Sequence, residues 1–377
     1  MIKTDIKYTY RDLTIVPEKL SMISSRSECN VYYKDKMLPI WTAPMIPIIN
    51  KHNSAYFRGH GINTIIPRTN NLAEQVELMQ SGEWVALSLK QFTYLFLEKN
   101  SFKLSKNRIY NICIDIANAH MNKLYTLIND AYDKYYHNLN IMVGNIANPE
   151  TYKWICDNMK GLIHYIRLGI GAGSGCLTTS NTGVHYPMAS LVNECYKIKI
   201  NYPDPPLIIA DGGIKGYSDV IKALALGADY VMIGGLFANI FESAGEITHN
   251  DWLEYDGNGV YCYSRNEEEA IYFDVCHPDS EDIKREIINR GELKRWFYGM
   301  STKYAQTLIK TNEDNLKTSE GRMFEAEVDY TLAQWVDNMK SYLRSAMSYC
   351  GADSLTYFIG QPILVVNSTL AINAVNK

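Results

Sequence analysis

The chain has 377 residues, of which 46% are hydrophobic and 21% charged, an ordinary globular balance with length enough for one large α/β barrel or two smaller domains. Its formal net charge is −4, with 37 basic and 41 acidic side chains spread along the sequence, which argues against the basic footprint of nucleic-acid binding. No apolar stretch approaches the ~20 residues of a membrane span, and the start Met1-Ile2-Lys3-Thr4-Asp5 lacks a signal-peptide core, so a cytoplasmic protein without membrane partners is expected.

An N-terminal arm, residues 1–37, precedes the first long apolar run. Strand-like runs then recur at 38–45, 62–68, 84–89, 109–116, 139–146, 164–170, 207–211 and 230–236. Most are nearly continuous in apolar residues, the pattern of parallel strands buried on both faces. Helical cues lie between them. Asn148-Pro149-Glu150 offers a cap, a proline at the first helical position and an acid near the positive end of the dipole. Ser218-Asp219 opens another segment, whose Val220, Ile221, Leu224 and Ala225 share a face before Gly227 ends it.

Eight such alternations predict an α/β fold of the (β/α)8 TIM barrel type with parallel strands; a doubly wound sheet is the competing pattern. In a barrel the active site lies at the carboxyl ends of the strands. From 242 to 296 the alternation breaks into a Tyr-, Asp- and Glu-rich stretch, and residues 335–348 read as a closing helix.

The run Gly169-Ile170-Gly171-Ala172-Gly173-Ser174-Gly175-Cys176-Leu177-Thr178-Thr179 follows a strand and lets a ligand approach the main chain closely. Of eight scattered cysteines, with no zinc-like spacing, only Cys176 sits among glycines and hydroxyls, as a candidate nucleophile that must act as thiolate. Asp211-Gly212-Gly213 and Gly234-Gly235 place bare backbone N–H groups at neighbouring strand ends, where barrels build phosphate sites. Ser319-Glu320-Gly321, taken alone, reads as a solvated turn.

Together these pieces resemble the IMP dehydrogenase/GMP reductase family over almost the whole chain. The matching stretches include Asp12-Leu13-Thr14-Ile15-Val16-Pro17, Ser25-Arg26-Ser27-Glu28, Ala43-Pro44-Met45, Gly144-Asn145, the Cys176 loop, Ala210-Asp211-Gly212-Gly213, Met232-Ile233-Gly234-Gly235, Tyr298-Gly299-Met300-Ser301 and Ser319-Glu320-Gly321.

The resemblance implies a purine-nucleotide enzyme in which Cys176 attacks C2 of the base. By the same resemblance Ser174, Gly213, Gly234, Gly235 and Tyr298 hold the 5′-phosphate, and Asp211 binds the ribose. Asn145, Gly299, Met300 and Ser301 complete the substrate site. Arg68, Asp115, Ala117, Asn118 and Lys317 fall at the cofactor. The carbonyls of Gly171, Gly173 and Cys176 match a monovalent-cation site, for K+.

The reductase branch is the closer match. There is no room between 62 and 109 for the regulatory CBS pair, and residues 302–319 lack the Arg-Tyr pair that activates water in the dehydrogenases. Asp115-Ile116-Ala117-Asn118 has the reductase form. Thr178 and Glu320 match the reductase's catalytic pair. The implied activity is NADPH-dependent deamination of GMP to IMP, with NADH as the alternative cofactor and a homotetramer as the family's usual assembly. IMP dehydrogenase, a flavin-dependent barrel and a nucleotide-sensing barrel without catalysis are the other readings.

Leu177, Ser180, Pro67-Arg68 and Lys317 depart from the reductase pattern. So does a family-atypical insertion within 246–295, in what otherwise reads as one catalytic domain spanning 1–377.

Overall fold

The computed structural model describes residues 5–135, 138–248, 252–256, 259–264, 270–291, 293–309, 316 and 318–367. After β1 (Leu13–Ile15) in the arm, the chain lays down β2 (Ile40–Thr42), β3 (Trp84–Leu87), β4 (Tyr110–Asp115), β5 (Leu139–Ile146), β6 (Tyr165–Leu168), β7 (Leu207–Asp211) and β8 (Tyr230–Ile233). The last seven form one parallel sheet in the order β2-β8-β7-β6-β5-β4-β3.

The remaining sequence-predicted run, 62–68, fills the gap between the two ends. Asn63 bridges Trp41 and Ile66 bridges Val85 in parallel sense. The main-chain bonds Thr42 N–H to Asn63 O, Asn63 N–H to Ile40 O, Ile66 N–H to Trp84 O and Ala86 N–H to Ile66 O stitch it to both neighbours. The sheet therefore closes on itself, as a barrel does and a doubly wound sheet does not. Pairing at 62–68 is short because Pro67 has no N–H to donate.

The strands bury two faces, as their continuous apolar character requires. Ile166 and Leu168 of β6 join the layer between sheet and helices, whereas Trp41, Ala86, Cys113, Met142, Ile209 and Met232 fill the barrel interior. At the amino end of the interior, Trp41 packs edge-on against Trp84, Tyr165 and Tyr230, with ring centroids 5.4, 5.8 and 6.2 Å apart.

The covering helices are α1 (Ser54–Gly59), α2 (Leu72–Gln80), α3 (Leu89–Phe96), α4 (Asn122–Tyr135) and α5 (Pro149–Asn158); after a short α6 (Thr178–Thr182) come α7 (Met188–Lys199) and α8 (Tyr217–Ala225). Asn148 caps α5 as its sequence predicts, its side chain accepting the Glu150 N–H at 3.0 Å. The start of α8 differs from the reading. Gly216 is its N-cap, and Asp219 sits inside the first turn, where its carboxylate accepts the Lys215 N–H at 2.8 Å.

Beyond β8 the chain forms β9 (Ile247–Thr248), β10 (Leu253–Tyr255), β11 (Val260–Ser264), β12 (Ala270–Asp274), α9 (Glu281–Asn289), β13 (Lys294–Tyr298), α10 (Lys303–Ile309) and β14 (Met323–Glu327). The closing helix α11 (Leu332–Tyr349) begins three residues before the predicted start and is followed by α12 (Leu355–Phe358) and β15 (Leu364–Val366), which pairs antiparallel with β1. The described part of the stretch 246–295, expected to be an insertion, thus contains a β10-β11-β12 antiparallel sheet and a strand, β9, added to the β13-β14 antiparallel pair.

This segment has an apolar core of its own, with Leu253, Tyr261, Tyr263, Phe273 and Ile287 packed on Phe241 and Val328. Two buried cations anchor it to the barrel. Lys284 of α9 pairs with Glu242 at 2.6 Å and donates to the Tyr56 hydroxyl of α1 at 2.9 Å. Arg295 of β13 donates to the carbonyls of Ile240, Phe241 and Gly245.

Candidate active site

The carboxyl ends of the strands surround a cleft of about 920 Å³, the size of a pocket for a sizeable ligand. Its most constrained wall is the glycine loop after β6. Gly169 and Gly171 have φ of +125° and +69°. A Cβ on Gly169 would lie 2.3 Å from Asp211 O, and one on Gly171 2.0 Å from Thr179 Oγ1. The Thr179 hydroxyl donates to Gly171 O at 3.1 Å, drawing α6 back onto the loop. Gly171→Ala is therefore expected to lower both turnover and melting temperature, the strained φ alone costing about 1 kcal/mol or more; parallel kinetics and thermal unfolding check it.

The turn at 319–321 is half-buried and paired to the cysteine loop. Gly321 pairs antiparallel with Cys176, Leu177 N–H donates to Glu320 O at 2.7 Å, and Arg322 N–H donates to Gly175 O at 3.0 Å. Main-chain pairing that sequence alone does not reveal carries the segment onto the cysteine loop. It brings three side chains into line: Cys176 Sγ donates to Thr178 Oγ1 at 3.2 Å, and Thr178 Oγ1 donates to Glu320 Oε2 at 2.7 Å. Leu177 contributes backbone here, its carbonyl also accepting the Ser180 hydroxyl at 3.0 Å.

Around the rim, Ser174 lies against Gly235, where an added Cβ would fall 2.3 Å from Ser174 Oγ. Gly235 heads the short turn Gly235–Asn239, whose first amides have no acceptor within the turn. Gly234 and Gly213 also line the cleft, but the Gly213 N–H donates to Ala172 O at 2.9 Å, so this amide is committed rather than bare. Gly299, Met300 and Ser301 form the facing edge, with Met300 Sδ accepting the Ile46 N–H at 3.4 Å. Tyr298 does not line the cleft. Strand alternation points its neighbour Phe297 there, while the Tyr298 ring packs on Tyr304 with centroids 4.9 Å apart. Burial, then the nearby Tyr304 and Glu246, push its hydroxyl pKa up.

The opposite wall carries a chain of charges. Asn145 Nδ2 and Arg167 Nε and Nη2 all donate to Asp211 Oδ2, at 2.7, 3.0 and 2.8 Å, leaving Oδ1 without a protein hydrogen bond among the described residues. Arg167 Nη1 donates to Asp115 Oδ1 at 2.7 Å, and Arg68 Nε lies 3.2 Å from Asp115 Oδ2. Burial alone would push the Asp115 carboxyl up; the Arg167 and Arg68 guanidiniums outweigh it and hold the carboxyl below the usual range. Ala117 and Asn118 line the same side, and Lys317 lies outside the described residues.

Arg167 has no place among the sequence-predicted site residues. The signal was present: a charged residue inside an apolar strand, two positions from Tyr165 on the inward face. Of the carbonyls matched to a cation, Gly171 O accepts from Thr179 and Gly173 O from the Cys176 N–H, so each keeps one lone pair for an ion. No cluster of three His, Cys, Asp or Glu side chains suited to a metal occurs among the described residues. None of the described residues between 246 and 296 lines the cleft.

The model for the IMP dehydrogenase / GMP reductase domain matches residues 97–320, more than half of the chain, from the segment before β4 to Glu320. The chain belongs to the IMP dehydrogenase/GMP reductase family. Members similar to it include the GMP reductase of Chromobacterium violaceum, 30% identical over 271 residues that cover 68% of this chain and 81% of the relative. The GMP reductase of Helicobacter pylori is 29% identical over 350 residues, 87% of this chain and 96% of that protein. GMP reductase 2 of Homo sapiens is 24% identical over 367 residues, 94% and 92%. Family membership makes the chain an enzyme of the oxidoreductase class. Among the described residues no helix is long and apolar enough to cross a membrane.

Proposed function

We propose that this chain is a GMP reductase, converting GMP to IMP and ammonia with NADPH through a covalent bond between Cys176 and C2 of the purine. The observation that carries the reading is the Thr178 hydroxyl held between the Cys176 thiol and the Glu320 carboxylate, at 3.2 and 2.7 Å. The relatives named GMP reductase support the same branch.

That line of three groups is a proton path. The thiol proton passes to Thr178 Oγ1 as the Thr178 proton passes to Glu320, and the thiolate adds to C2, the electron pair moving to the ring. The path then runs backwards, protonating the exocyclic amine, which leaves as ammonia and frees C2 of its C–N bond. Cys176 holds the base as a thioimidate. When bound, NADPH would supply the hydride that C2 takes up. The C2–Sγ bond then breaks, sulfur departs as thiolate and takes up a proton, and IMP is released; one proton is consumed overall, and a second where the ammonia becomes ammonium. No water attacks, in keeping with the lack of an Arg-Tyr pair in 302–319.

Ser174, Gly234 and Gly235 hold the 5′-phosphate in this reading, with Gly213 permitting close approach. The uncommitted Asp211 Oδ1 takes a ribose hydroxyl, and Asn145 fixes that carboxylate. Gly299, Met300 and Ser301 meet the base. NADPH, with NADH as the alternative, lies against Arg68, Asp115, Ala117 and Asn118, and Lys317 belongs to the same expectation. K+ at the Gly171, Gly173 and Cys176 carbonyls, a cytoplasmic homotetramer, and one catalytic unit over 1–377 complete the proposal.

The test is nicotinamide absorbance with GMP plus NADPH against IMP plus NAD, each with and without potassium. Turnover only with the second pair would assign the dehydrogenase activity instead. Glu320→Gln keeps the shape and removes the proton acceptor, so kcat is expected to fall by about 10²- to 10⁴-fold with GMP affinity nearly unchanged; steady-state kinetics with equilibrium binding check it.

A further inference from the structure

Among the described residues, Arg167 is the one buried charged side chain of the cleft to which the mechanism above gives no task. The residue is 6% exposed, and room for it exists only because position 144 is glycine: a Cβ there would fall 2.3 Å from Arg167 Cβ. From β6 its guanidinium spans to both sides. One nitrogen, Nη1, donates to Asp115 Oδ1 at the end of β4; the other two donate to Asp211 Oδ2 at the end of β7. Arg68 approaches Asp115 but not Asp211, and Asn145 bonds Asp211 but not Asp115. Among the described residues, Arg167 alone touches both carboxylates.

A single Arg–Asp pair would suffice to neutralise a buried guanidinium. Here two carboxylates from opposite halves of the cleft share one cation, so whatever draws charge from one changes the grip on the other. A hydroxyl donating to Asp211 Oδ1 withdraws negative charge from that carboxylate and leaves the guanidinium more fully to Asp115.

We propose that Arg167 is a positioning residue that couples the nucleotide and dinucleotide halves of the cleft, so that a ribose bound at Asp211 presets Asp115 for the cofactor, and the reverse by linkage. This rests on the GMP reductase reading above. Lysine cannot substitute, because a point ammonium lacks the planar fork that reaches two carboxylates at once.

GMP binding to the full-length protein, measured by calorimetry with and without saturating NADP+, which does not react with GMP, tests the idea. In the native protein NADP+ is expected to tighten GMP roughly tenfold, within the usual span of site coupling. In Arg167→Lys that factor drops to about one while the affinity for GMP alone changes little, a split that a merely structural role would not produce. Where Arg167→Lys fails to bind GMP, Asp115→Asn carries the test, with NADP+ raised to the level that direct titration shows to saturate this variant, since it leaves the Arg167–Asp211 contact in place and is expected to lose the coupling as well. Coupling of native size in either variant, or native protein that binds both ligands independently, overturns the proposal. Native protein that binds neither ligand overturns the GMP reductase reading itself, a result distinct from the other two.

Discussion

Cys176→Ala is expected to abolish turnover, by about ten-thousand-fold or more, while GMP binding remains measurable. In the proposed mechanism the sulfur makes the bond to C2, and its loss leaves that step without a nucleophile. The loop itself is held by other contacts, Thr179 to Gly171 O and Leu177 N–H to Glu320 O, so the pocket survives the substitution. Single-turnover kinetics beside calorimetric binding separate chemistry from recognition. Substantial residual turnover would sink the covalent mechanism and direct attention to a flavin or a water-based reaction.

Lys284→Ala is expected to be the most damaging single change away from the cleft, destabilising by about 3–5 kcal/mol because it strands a buried carboxylate. Lys284 and Glu242 are both inaccessible to solvent and 2.6 Å apart. Glu242 also accepts the Leu332 N–H at 2.9 Å, at the start of α11, so the stranded charge would loosen the segment carrying α9 and the closing helix together. Burial lowers the Lys284 pKa, and the Glu242 carboxylate more than reverses this, so the ammonium stays charged. A Lys284→Met, Glu242→Gln pair removes both charges and keeps an acceptor for Leu332. It should recover most of the loss. Denaturant unfolding of the three proteins decides; a Lys284→Ala variant as stable as the parent would show that the pair adds nothing.

The barrel was legible because burial on both faces writes itself into the sequence as apolar runs, and 139–146 and 207–211 match the strands residue for residue. The cysteine loop was legible because glycines at 169 and 171 answer a demand for positive φ and close approach. Glu320 and Arg167 were harder for opposite reasons. The carboxylate of Glu320 arrives by pairing across 142 residues, a contact that no local pattern encodes. Arg167 was hidden by its own apolar neighbours. Gly213 shows the limit of reading glycine as a bare donor, since the amide it offers is taken by Ala172. Tyr298 fell on the wrong side of β13 through a single step of strand alternation, the kind of detail that motif matching carries over without its register.

The aromatic seal of Trp41, Trp84, Tyr165 and Tyr230 at the amino end of the barrel has a kinetic corollary. With that end stoppered, substrates and products share a single doorway at the opposite rim. Both ligands therefore enter and leave across that rim, and nothing drains along the packed barrel axis while a partner still covers the mouth.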